Sequence, residues 1–110
     1  MDGTYDGVTI ANAKRANTDT TYVELNKGGS ASFSVSAGAK VTIAVGSTSS
    51  SNTSTYTITG GGLDKSDESV VGTSYAATDL GTATQAGTVT IAVPSSAARG
   101  MRIKTITVTY

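Results

Sequence analysis

An all-β fold, an antiparallel β-sandwich (jelly roll) of about eight strands with no long helix, is the class this sequence predicts, and three observations predict it. Apolar residues recur at every second position in short segments, which is the period of a strand with one buried face. Gly, Ser or Asn bound those segments, and residues that favour helix interiors are scarce beside Thr, Ser, Gly and Ala. A chain of 110 residues has room for one core between two layers, so residues 1–110 read as a single β-sandwich module.

Each element follows from that alternation. Val8 and Ile10 share a face around Thr9, and Val23 and Leu25 oppose Tyr22 and Glu24. Asn26, Lys27, Gly28 and Gly29 read as a turn. Ala31, Phe33 and Val35 then alternate with serines, and Ala37, Gly38 and Ala39 read as the turn of a hairpin whose second strand carries Val41, Ile43 and Val45. The polar run 46–54 reads as a loop. Thr55, Thr57 and Thr59 alternate with Tyr56 and Ile58 until three glycines at 60–62 stop the strand, since each is costly to hold extended. Residues 63–69 read as a charged connection, Val70 and Val71 begin a weak strand, and Leu80 and Ala83 mark another. Val89, Ile91 and Val93 form a clear strand closed by Pro94. Met101 and Ile103 have one parity whereas Ile106, Val108 and Tyr110 have the other, which predicts a β-bulge near Lys104 and Thr105.

The composition excludes several kinds of chemistry. Eight Lys and Arg balance eight Asp and Glu, so no net field gathers nucleic acid or an anionic membrane, and neither is expected as a partner. The absence of Cys and His removes the thiol nucleophile, the commonest general base and most transition-metal sites. No glycine-bounded serine elbow occurs, and no catalytic residue and no cofactor is assigned. Asp64, Asp67 and Glu68 fall in one polar stretch and could offer oxygens to a calcium ion, although their spacing matches no defined calcium loop. Residues 1–5 form neither a charged leader nor an apolar stretch, and no run reaches the roughly 20 apolar residues of a membrane helix, so a soluble chain is expected.

Five stretches together resemble a known kind of module: Asp6-Gly7-Val8, the segment from Gly29 to Val35, Lys40 to Ile43, Gly87 to Ile91, and Met101-Arg102-Ile103 with Ile106-Thr107-Val108. The chain resembles the small jelly-roll modules, similar to carbohydrate-binding modules, attached to secreted bacterial pectate lyases and related polysaccharide-degrading enzymes. The resemblance implies an extracellular accessory role, an eight-stranded jelly roll, and sugar recognition at a loop end or a concave face.

Sugar binding calls for a flat ring against the apolar sugar face and for planar hydrogen-bonding groups. With no Trp in the chain, Tyr must serve. Tyr56 and Tyr110 share parity with core residues and are expected to pack inward. Tyr22 points outward beside Glu24 and Tyr75 sits in a loop, so these two are the aromatic candidates; the alternative for each is an isolated surface ring. Arg99, and Arg102 with Lys104, form a small basic group that could hold an acidic sugar; the alternative is solvated charge guarding a strand edge. The ligand-binding candidates are therefore Tyr22, Tyr75, Arg99 and Arg102, and the expected partner is a plant or microbial polysaccharide bound outside the cell. Two other readings compete. One is a structural subunit or spacer of an extracellular fibre or surface layer, self-associating through strand edges. The other is an ice-binding surface built from Thr55, Thr57, Thr59 and Thr105, Thr107, Thr109, if those rows lie on neighbouring strands.

Overall fold

The alternating segments become strands in the computed structural model, which describes residues 3–5, 7–15, 22–63 and 66–110. They are β1 (Gly3–Tyr5), β2 (Val8–Arg15), β3 (Val23–Val35), β4 (Lys40–Gly46), β5 (Thr53–Thr59), β6 (Asp67–Val71), β7 (Ala77–Thr82), β8 (Gly87–Ala92) and β9 (Met101–Thr109). The all-β antiparallel class is as the sequence predicts, with nine described strands in place of about eight and no helix among the described residues.

All nine join one hydrogen-bonded sheet in the order β6-β5-β8-β3-β9-β4-β7, with β2 on the other flank of β3 and β1 on β2. β3 carries the architecture. Its first residues, 23–25, pair with β9, and residues 30–35 pair with β8. The sheet thereby curls into a half-barrel whose two wings, β9-β4-β7 and β8-β5-β6, contribute to a single core. Val41, Ile43 and Met101 from one wing join Ile58, Val89 and Ile91 from the other, together with Leu25 and Phe33 of β3, in one buried cluster.

Three local expectations are corrected. Residues 26–29 form a corner inside β3 rather than a turn between two strands. The corner depends on Gly28, at φ 83°, and on Gly29, where a Cβ would run into the Asn12 carbonyl; Asn12, in a bulge of β2, donates from Nδ2 to the Lys27 carbonyl. Residues 37–39 do not close a hairpin, because β3 pairs with β2, β8 and β9 while β4 pairs with β7 and β9; the chain crosses there from one wing to the other. Residues 67–71, expected in part as a connection, pair with β5 as β6.

The expected bulge in β9 is present. Val45 pairs with Ile103 and Ala44 with Thr105, leaving Lys104 as the extra residue. Tyr56 is buried as parity requires, but Tyr110 is 77% exposed, because it lies beyond the end of β9 and has no facing strand to cover it. The threonine rows of β5 and β9 lie in different wings and do not adjoin. Instead, the outer face of the β8-β5-β6 wing carries a cross-strand row of hydroxyl residues, Thr9, Ser32, Thr90 and Thr59. Ser32 and Thr90 hydrogen-bond at 3.1 Å.

A tyrosine and cation platform as candidate functional site

The outer face of the other wing is built differently. In register across β2, β3, β9 and β4 lie Lys14, Glu24, Arg102 and Gly46. This row, with the side chains of Lys14, Glu24 and Arg102, faces away from the core because Leu25, Met101 and Val45, one position along, point into it. Glu24 is only 8% exposed, and a carboxylate so covered needs partners. It has two: Arg102 Nε donates to Oε1 at 2.9 Å, and Lys14 Nζ lies 3.2 Å from Oε2.

Two tyrosines cover this row. Tyr22 immediately precedes β3 and faces the same side as Glu24, while Tyr75 comes from the connection between β6 and β7. Their rings stack with centroids 5.8 Å apart and an interplanar angle of 26°, an offset arrangement that aromatic quadrupoles favour. Each ring also meets a cation. The Arg102 guanidinium carbon lies 4.8 Å from the Tyr22 centroid, and Lys104 Nζ lies 5.6 Å from that of Tyr75.

Three backbone features seat Tyr75. The residue itself adopts φ 53°, a left-handed conformation uncommon for a side-chain-bearing residue. Gly46 makes room for its ring, since a Cβ there would lie 2.6 Å from Tyr75 Cε1. The start of its connection is pinned where the Ser47 amide donates to the Gly72 carbonyl at 2.8 Å. The Tyr75 hydroxyl is buried beside the guanidinium charge without a hydrogen bond of good geometry.

Burial alone lowers the pKa of the Arg102 guanidinium. The Glu24 hydrogen bond, the Tyr75 hydroxyl and the electrostatic influence of Tyr22 and Glu24 outweigh it, so the pKa rises above its ordinary value. The cation is therefore permanent at every physiological pH. Its Nε is committed to Glu24 and its side chain is only 17% exposed, whereas Lys104 forms no ion pair among the described residues.

Of the four candidates read from sequence, the structure brings Tyr22, Tyr75 and Arg102 together and leaves Arg99 out. Arg99 lies in the loop before β9 with its Nε buried and unpartnered, and it makes no ion pair or ring contact among the described residues. Sequence pattern alone does not assign Glu24, Lys14 or Gly46 to the site. The outward parity of Glu24 is visible, but its pairing with Lys14 depends on the β2 bulge, which no local pattern announces. Of the proposed calcium residues, Asp64 lies outside the described residues, while Asp67 and Glu68 are consecutive in β6 and so face opposite sides of the sheet. Compared with protein-family models and with curated proteins, the chain matches none.

Proposed function

We propose that the chain is a non-catalytic carbohydrate-binding module that acts outside the cell and attaches to plant or microbial polysaccharide through the Tyr22–Tyr75 platform. The observation that carries the reading is convergence: two tyrosines and a guanidinium from three separate stretches meet on one outer face, beside a fourth residue, Lys104. Rings give apolar area at little entropic cost, and a fixed guanidinium offers directional donors, which is what a hydroxylated, ring-shaped ligand needs. The one carboxylate in the platform is already engaged by two cations, so the face is suited to holding a ligand rather than cleaving it.

Affinity electrophoresis against pectins, xylans, glucans and mannans tests this. Retardation by at least one class is expected, and it should disappear in the Tyr22→Ala, Tyr75→Ala double variant. A double variant that binds like the parent removes the platform, and no retardation by any polymer removes the module reading altogether.

A second reading, a self-assembling structural subunit, has its own support. A groove of about 420 Å³ opens between Val8, Phe33, Ile106 and Val108, and Val71 and Tyr110 are exposed.

A further inference from the structure

Independently of what the platform binds, we infer that Tyr22 and Tyr75 are an oxidative cross-linking site, coupled as dityrosine through the ring carbons ortho to their hydroxyls. The argument starts from composition. The chain has no Cys, Trp or His, and of its two Met residues Met101 is fully buried while Met1 lies outside the described residues. Phenols are therefore the groups that a one-electron oxidant meets. Lacking Cys, the chain also has no disulfide, the common covalent tie of small domains outside the cell.

Geometry singles out one pair of phenols. Tyr22 and Tyr75 stack at 26° with centroids 5.8 Å apart, an offset arrangement that lays carbons of one ring against carbons of the other. The Arg102 guanidinium lies near enough to both phenolic oxygens to be influenced by each, so the two hydroxyl ends, with their ortho carbons, gather at the same cation. The pair is in place before any oxidant arrives, because Gly46 leaves the space that the Tyr75 ring fills. The other tyrosines with described side chains are placed differently: Tyr56 is buried, and Tyr110 is exposed without a ring partner among the described residues.

The oxidant is hydrogen peroxide turned over by a haem peroxidase, which removes electrons one at a time. The first electron leaves half-buried Tyr22 with its phenolic proton, giving a phenoxyl radical with spin on the ortho carbons. One of these carbons bonds to the facing ortho carbon of Tyr75, and the second oxidation takes one more electron from the adduct. Both ortho carbons then lose their hydrogens as protons, and the Tyr22 oxygen regains one. One C–C bond forms and two C–H bonds break, and the two electrons and two protons released reduce one peroxide to two waters. The buried Tyr75 hydroxyl keeps its proton throughout. The new bond ties the start of β3 to the β6–β7 connection across the long stretch of chain between them. It restricts the unfolded chain and prevents the Tyr75 ring from leaving Gly46.

The test treats the full chain, dilute and folded, with hydrogen peroxide and a haem peroxidase. The expected product is a monomer lighter by two hydrogen atoms, with dityrosine fluorescence and a raised urea midpoint. Trypsin separates every tyrosine into its own peptide, and the digest should join residues 16–27 to residues 66–99. Tyr22→Phe and Tyr75→Phe each keep the ring and should each abolish that product, as should unfolding in urea before oxidation, whereas Tyr110→Phe should leave it unchanged. A cross-link mapped to another pair, coupling only between copies, or a monomer of unchanged mass overturns the assignment. None of these outcomes bears on polysaccharide binding, which electrophoresis of the untreated chain reads separately.

Discussion

Tyr75 holds a left-handed backbone conformation at a cost of about 1–3 kcal/mol, and its ring occupies the space a side chain at Gly46 would take. The obstacle to a Cβ at Gly46 is therefore a ring on a connecting loop, which can swing away. Gly46→Ala should displace Tyr75 and abolish polymer binding while lowering stability by no more than about 1–2 kcal/mol, read as urea midpoint against binding titration. A variant that keeps full affinity would mean the ring is not seated as described. Tyr56 gives a different residue-scale expectation. Burial first, and the Glu68 charge second, push its hydroxyl up to about 12 from an ordinary 10.0. The folded state thus keeps the proton that the unfolded chain gives up, so this stabilisation is complete below pH 10 and is lost as pH rises from there through about 12. Its size is about 2–3 kcal/mol, and Tyr56→Phe should remove that part of the alkaline slope in denaturant titrations. At this scale the sequence is most readable where parity alone decides direction: Tyr22 outward, Tyr56 inward. It fails for Tyr110, beyond the end of β9, and for Arg99, in the loop before it, because parity decides direction only within a paired strand.

Strand β9 shows what an element adds to its residues. Deleting Lys104 leaves strict alternation from Met101 to Val108, so the variant should fold with a loss of about 1–2 kcal/mol or less and should lose the cation beside Tyr75. Failure to fold would show that the bulge serves the sheet rather than the platform. The bulge is legible in the sequence because two parities within one strand can reach the same face only if a residue is inserted between them. The corner in β3 is not. Asn26 to Gly29 have turn chemistry whether the chain reverses or bends, and only the partner strands, β9 before the corner and β8 after it, separate the two. The same limit accounts for the missing hairpin at 37–39, since alternation fixes which face of a strand is buried and says nothing of its neighbours.

At the scale of the molecule, the curled sheet has edges at β6, at β7 and at the β1-β2 flank, and the first two are guarded by charge or irregularity. β6 carries Asp67 and Glu68, and β7 carries Asp79 with a bulge opposite Val41 and Thr42. Edge charge and bulges both oppose pairing with a second copy. The chain should therefore elute as a monomer at high concentration, and Asp67→Asn with Glu68→Gln should increase association; filaments formed by the parent would favour the structural-subunit reading instead. Every connection from β3 to β9 except the β5-β6 hairpin carries the chain from one wing to the other. Little of the sheet can then form from neighbours in sequence, and the ends of β3 must wait for β8 and β9, which come much later in the chain. Loop closure precedes its reward in such a topology, so refolding should take milliseconds to seconds, as for other non-local β proteins, rather than microseconds. During that interval the uncharged run from Thr105 to Tyr110 has no complete partner set, which makes dilution, more than temperature, the variable that decides the yield of refolded protein.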